Sequence, residues 1–278
     1  MILVSNWPDQ KFNSSKLRHT VLEMAYAGST VHIGCAFSIV ELLAVLYRNH
    51  LRYPGGGSEA PDRDYLVLSK GHGVMAQYAC MRELGWLSEN EIKAYFSNGS
   101  NLKGLSDSRL KGLEVTSGSL GHGFSVGVGL ALAAKLKNTG QRTYALVGDG
   151  EMNEGAIWEG ALFAAHHQLR DLMLIVDANG FQAMGETEGI LKLGSLKEKL
   201  VSFGFETLEV DGHDETAIDS TILQLQASSA GSPKAIVAKT VKGKGVPFME
   251  NNNMWHYTRL DADSYARAHA AVKLSTNA

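Results

Sequence analysis

Apolar residues recur along the chain in two registers. Leu17, Val21, Leu22, Met24 and Ala25 follow the three-to-four spacing of a helix face, behind Ser14 and Ser15 as candidate caps. A second helix is predicted through Ile39, Leu42, Leu43 and Leu46. Between the two, Ala27 to Gly34 is rich in turn formers and offers His32 where a side chain can meet a ligand. Tyr53 to Pro61, with Gly55, Gly56 and Gly57, reads as a surface loop.

The second register consists of short apolar runs without polar alternation: Tyr65 to Leu68, Tyr144 to Val147, Leu172 to Val176, Phe205 to Val210, and Ala235 to Ala238. Such runs fit strands covered on both faces, and the intervals leave room for a crossover helix each time. The predicted fold class is therefore α/β, a doubly wound and mostly parallel sheet with helices on both faces. A single domain over residues 1–278 is expected, with an extended C-terminal segment from about residue 243 and a frayed end at Leu274 to Ala278. Ligands of such sheets sit beyond the carboxyl ends of the strands. The segments just after the runs are Ser69 to Gly73, Gly148 to Gly155, Asp177 to Gly180, Asp211 to Asp214, and Lys239 to Gly245, where glycine, acid, amide and histidine are concentrated.

Composition narrows the function. With 278 residues, 44% of them hydrophobic and 8% aromatic, the chain has material for a packed core and does not read as disordered. A net charge of -3 offers no basic excess for a phosphate backbone, so nucleic acid is not an expected partner. Cys35 and Cys80 belong to no CxxC pair, which argues against a disulfide framework and cysteine-bound zinc and for a cytoplasmic protein. Trp7, Pro8 and Asp9 stand where a signal peptide would need apolar residues, and no apolar run reaches about 18 residues, so no membrane association is expected.

The chemistry concentrates in two segments. Leu146-Val147-Gly148-Asp149-Gly150-Glu151-Met152-Asn153-Glu154-Gly155 is followed by a helical stretch and then by Leu174-Ile175-Val176-Asp177-Ala178-Asn179-Gly180. Asp149 and Asn179, about 30 positions apart, each lie just past a predicted strand, and one right-handed strand-helix-strand unit brings them side by side. A carboxylate and an amide oxygen suit Mg2+ or Ca2+, with phosphate oxygens, a backbone carbonyl and water completing the shell. Either fragment alone reads as an ordinary turn; together at this spacing they read as a metal-diphosphate site.

These residues resemble the signature of thiamine diphosphate enzymes, Gly-Asp-Gly followed after roughly thirty residues by Asn. Leu68-Ser69-Lys70-Gly71-His72-Gly73, Gly112 to Gly123, Lys242-Gly243-Lys244-Gly245-Val246 and Trp255-His256 further resemble the transketolase family in order and spacing, from about Leu17 to about Tyr265. The resemblance extends to that family's N-terminal, diphosphate-binding domain. It implies half of a split enzyme, a partner subunit carrying the pyrimidine-binding and C-terminal domains, and a 2+2 heterotetramer that moves a two-carbon ketol unit between sugars or sugar phosphates. Position by position, it implies that Asp149, Asn179 and the Phe181 carbonyl hold the metal and that His72 and Gly150 approach the diphosphate. Glu151 is counted among the cofactor-binding residues, and Gly118 and Leu120 line the aminopyrimidine side. Glu154 and Glu159 match acids that link two cofactor sites across a dimer; read alone, they are solvated helix charges. His32 and His256 match histidines that contact sugar hydroxyls and relay protons, and His72 is grouped with them; a lone histidine more often makes a structural hydrogen bond.

One position departs from the family. Where the family has Gly-His-Pro-(Asp/Glu), this chain has Gly104-Leu105-Ser106-Asp107. That histidine reaches the first-carbon hydroxyl of the donor, so Leu105 implies a pocket better matched to a methyl group, and acyl transfer from a 1-deoxy donor stands beside ketol transfer. A non-catalytic, cofactor-binding or regulatory relative is a further alternative, against which Asp149, Asn179, Glu154 and Glu159 argue. A metal-dependent phosphohydrolase would need a second carboxylate near Asp149, for which Asp177 is the candidate. Gly118 to Gly123 reads as the start of a helix whose amides favour an anion, although a dinucleotide fingerprint is poorly matched there. Lys242 and Lys244 are surface lysines or substrate-side groups, and Met152, Met173 and Met184 are core or lid packing.

Overall fold

The computed structural model of the chain describes residues 11–274, with side chains through residue 272. The readings placed on Trp7, Pro8 and Asp9 and on residues 275–278 lie outside that range. Helix α1 (Ser14–Ala27) buries Leu17, Val21, Leu22, Met24 and Ala25, as the apolar spacing requires. Its cap is Asn13, one residue before the predicted serines: Asn13 Oδ1 accepts from the amides of Ser15 (3.0 Å) and Lys16 (3.1 Å). Ser14 Oγ instead donates to Glu215, and Ser15 Oγ to the Val272 carbonyl, so tertiary partners draw both hydroxyls away. The predicted second helix is divided into α2 (Ile33–Phe37) and α3 (Val40–Val45), which continues as a π-helical turn over Leu46–His50. The division falls at Ser38, whose hydroxyl donates to Asp177 at 2.7 Å.

Strand β1 (Tyr65–Leu68) leads into α4 (Val74–Glu83) and α5 (Glu89–Lys93), then a long irregular stretch to α6 (His122–Lys137). Strand β2 (Thr143–Gly148), α7 (Gly155–His166) and β3 (Leu172–Ala178) form the predicted strand-helix-strand unit. A small antiparallel hairpin comes next, β4 (Phe181–Gln182) and β5 (Gly185–Glu186), then α8 (Thr187–Ile190) and α9 (Leu196–Ser202). Strand β6 (Glu206–Asp211), α10 (Glu215–Ala227), β7 (Lys234–Lys239) and α11 (Ala262–Leu274) complete the order. The five long strands pair in parallel as β1-β2-β3-β7-β6.

The alternation of side chains along these strands divides the core in two. Tyr144, Leu146, Met173, Ile175 and Ile236 join α1, α3, α4 and α10 on one face. Ala145, Val147, Leu174, Val176 and Val237 join Phe124 and Val128 of α6, Ile157 and Ala161 of α7, and Leu200 of α9 on the other. Burying each such aliphatic side chain contributes about 1.5–3 kcal/mol, which is why β2 and β3 carry no polar alternation, whereas β6, at the sheet edge, exposes Glu209 and Asp211. Gly123 lets α6 press onto the end of β1: a Cβ there would lie 2.6 Å from the Ser69 backbone. No helix among the described residues is long and apolar enough to cross a membrane.

Candidate active site

Four of the five loops beyond the carboxyl ends of the strands converge on one cleft of about 550 Å³. Those after β1, β2, β3 and β7 supply Lys70 and His72, Asp149 and Gly150, Asn179 and Phe181, and Lys242 respectively. The loop after β6 does not line it; its His213 instead accepts the Val241 amide at 2.8 Å and braces the loop after β7.

Asp149 is buried at the end of β2. Its Oδ1 accepts from the Gly150 amide (2.8 Å) and its Oδ2 from the Gly180 amide (2.6 Å), tying β2 to the loop after β3. Burial, with Asp177 close by, pushes its carboxyl up to about 7. The Asn179 amide donates from Nδ2 to Asp177 (2.8 Å), and its Oδ1 accepts from the Phe181 amide (3.0 Å). A Cβ on Gly150 would stand 2.6 Å from that of Gln182, so only glycine lets the β4 segment close over this turn. Among the described residues, no three His, Cys, Asp or Glu side chains are grouped to hold a metal. Oxygen donors from Asp149, Asn179 and the Phe181 backbone would need further ligands from outside the protein.

Three histidines gather on the opposite wall. The His32 ring centroid lies 4.7 Å from that of His72 and 5.2 Å from that of His256. His32 is held in the left-handed region (φ 71°), and its amide donates to the His256 carbonyl at 3.1 Å. Burial, then His72 and Lys242, lower His32 to about 4. Burial, then Lys242 and the other two imidazoles, lower His256 to about 3. His72 is lowered too, by burial and then Lys70. All three therefore face the cleft as neutral imidazoles near neutral pH.

Several expectations are corrected here. Lys242 is not a surface lysine: it is 1% exposed, donating to Asn253 Oδ1 (2.8 Å) and lying 3.0 Å from His256 Nδ1. Glu151 lines the cleft, and its carboxylate is held by protein groups, accepting from Ser69 Oγ and from the amides of Gly121 (2.8 Å) and Gly148 (3.2 Å). Ser69 Oγ also takes the Phe124 amide (2.9 Å), so two of the amides at the start of α6, those of Gly121 and Phe124, are bonded within the chain. Asp177 is fully buried among four side-chain donors and has no place for a nucleophilic water, so the phosphohydrolase reading fails. Met152 and Met173 are core residues, whereas Met184 is 74% exposed on the cleft rim.

Gly118 and Leu120 line the cleft together with Glu154. Glu159 lies one helical turn further along α7, exposed and outside the cleft. Leu105 is partly exposed and packs against Gly118, forming with Phe96 an apolar side pocket that opens beside His32. Lys70, which binds Asp177, is a site residue that spacing alone did not single out. Its signal is its place in Leu68-Ser69-Lys70-Gly71-His72-Gly73, two residues beyond an apolar strand, where a buried ammonium requires a counter-charge.

A sequence profile described as the thiamine diphosphate binding domain of transketolase matches residues 11–277. One of the subunits of the apulose-4-phosphate transketolase of Phocaeicola vulgatus is 35% identical over 258 residues, covering 93% of this chain and 92% of that protein. The 6-deoxy-6-sulfo-D-fructose transketolase subunit SqwG of a Clostridium species is 35% identical over 266 residues, covering 95% and 96%. Among solved structures, transketolase from Campylobacter jejuni superposes with a TM-score of 0.87 at 28% identity, covering 95% of this chain. The chain spans 42% of the length of that transketolase.

Proposed function

We propose, because the chain belongs to the transketolase family through its thiamine diphosphate binding domain, that it is the diphosphate-binding subunit of a two-subunit enzyme transferring a two-carbon ketol unit from a ketose to an aldose. The observation that carries this reading is the meeting of Asp149 and Asn179, from the ends of adjacent parallel strands, in one cleft with three neutral imidazoles.

The donor set fits Mg2+ or Ca2+. Asp149 is a buried carboxyl pushed up to about 7, and a cation beside it would restore the carboxylate. Asp149, Asn179 and the Phe181 carbonyl would hold the metal, with His72 and Gly150 beside the diphosphate and Gly118 and Leu120 beside the aminopyrimidine. When bound, thiamine diphosphate supplies the electron sink for cleaving a carbon-carbon bond next to a carbonyl. The chain's own part is to orient the donor in the cleft and to move protons. His32 and His256 accept or return a proton at the sugar hydroxyls, a task suited to imidazoles that start neutral.

A partner subunit with the pyrimidine-binding and C-terminal domains completes the enzyme in a 2+2 assembly. Two observations support it: relatives of matching length are named subunits, and α6 and α7 leave Val126, Leu136, Leu162 and Phe163 exposed. Glu154 and Glu159 lie on this side, where they would link neighbouring cofactor sites. A second reading, acyl transfer from a 1-deoxy donor, is favoured by the apolar side pocket of Leu105 and Phe96 beside His32.

The test is calorimetry on the reconstituted enzyme. Asp149→Ala should abolish metal-dependent binding of thiamine diphosphate while the fold persists. Undiminished cofactor affinity in that variant would remove the metal-site assignment.

A further inference from the structure

Asp177 is the penultimate residue of β3, and its carboxylate is closed off from solvent. Three donors meet at Oδ2: Ser38 Oγ (2.7 Å), Asn179 Nδ2 (2.8 Å) and the Lys70 ammonium. Thr240 Oγ1 donates to Oδ1. The Asp177 backbone carbonyl accepts the Asp149 amide at 3.1 Å. One residue thus grips both sides of the proposed metal position, Asp149 through its backbone and Asn179 through its side chain. It also draws in the loops after α2, β1 and β7.

The consequence lies in the Asn179 amide. A carboxamide can present oxygen or NH2, and only oxygen serves a cation. Asp177 requires a donor and so takes Nδ2; the Phe181 amide requires an acceptor and so takes Oδ1. Both restraints select the same orientation and leave Oδ1 one lone pair. Without the carboxylate, Asn179 Nδ2 would lose its acceptor and the buried Lys70 ammonium its counter-charge.

We infer that Asp177 is a positioning residue that fixes the Asn179 carboxamide with its oxygen toward the metal. This rests on the metal assignment given above. Partners that orient a metal ligand are typically worth about 10- to 100-fold in metal affinity.

The experiment titrates the enzyme reconstituted from the full-length chain and its partner subunit with Mn2+ in the presence of thiamine diphosphate, following free Mn2+ by electron paramagnetic resonance. Asp177→Asn and Asp177→Glu should each weaken Mn2+ binding by about 10- to 100-fold. Asp177→Glu keeps the charge and displaces the carboxylate. Native affinity in Asp177→Glu with loss only in Asp177→Asn would make the effect one of charge and overturn the positioning role, as would native affinity in both. Failure of the native enzyme to bind Mn2+ would instead overturn the metal assignment, and this inference with it. A measurement on the native chain covers variants that do not fold: the Asn179 side-chain amide protons should be protected from solvent exchange in 15N-edited NMR spectra. Exchange at the rate of a free carboxamide would overturn the inference.

Discussion

The floor and the rim of the cleft are built from opposite materials. On the floor, Asp149, Asp177, Lys70 and Lys242 are buried polar or charged groups, each hydrogen-bonded within the chain. At the rim, Met184, Leu191 and Tyr257 are largely exposed, at 74%, 58% and 58%. A buried charge persists only where its partners are supplied, so the floor is finished by this chain's own residues. Exposed apolar side chains around a cleft have the character of a surface that another surface covers. The contrast teaches that this chain supplies the partners of its own buried charges on the floor, while the rim is left apolar and open.

The largest effect should come from breaking the floor. Lys70→Met strands the Asp177 carboxylate and should cost about 3–5 kcal/mol of stability, read by chemical denaturation. A loss no larger than that of a surface substitution would mean that the pair is not the keystone it is taken for. Next come the histidines of the wall. His32→Ala and His256→Ala in the reconstituted enzyme should keep cofactor affinity and lower turnover by about 100-fold or more. Because burial lowers His256 to about 3 and His32 to about 4, protonation should disable these bases only well below pH 6.5. Near-normal rates in both variants would leave them as structural histidines.

A smaller effect is expected between floor and rim, at Leu105. On the acyl-transfer reading the native enzyme should favour a 1-deoxy ketose over its 1-hydroxy analogue, and Leu105→His should shift the preference by about 1–3 kcal/mol toward the hydroxylated donor, measured by competition. A native preference for the hydroxylated donor that survives the substitution would show that Leu105 does not face the substrate. Smallest of all, Met184→Ser should change the stability of the isolated chain by no more than about 0.5 kcal/mol. A larger loss would mean that the rim is packed against its own chain.

The sheet was legible because strands buried on both faces are written as apolar runs, as in β2, β3 and β7, and all five predicted runs became strands within a residue or two, although β6 at the sheet edge carries Glu206, Thr207 and Glu209. The cleft was legible for the same reason: residues directly after such a run lie at the ligand edge, and Asp149 and Asn179 meet there. The features that escaped depend on partners far away in sequence. Lys242 resembles any solvated lysine until Asn253 and His256 fold over it. Nothing near Asp177 announces Ser38, Lys70 or Thr240 as its donors. Glu151 stands in a glycine-rich motif suggestive of cofactor, yet three internal donors claim it. The Phe181–Glu186 hairpin has strands of only two residues, too short for a periodicity to show.

The central claim is that the floor is complete and the rim is not. Ketol transfer by the purified, mass-verified chain, assayed with thiamine diphosphate and Mg2+ before and after addition of a subunit carrying the pyrimidine-binding domain, tests it most directly. The account predicts no turnover and weak cofactor affinity for the chain alone, with both restored by the partner. Measurable turnover by the isolated chain would contradict it.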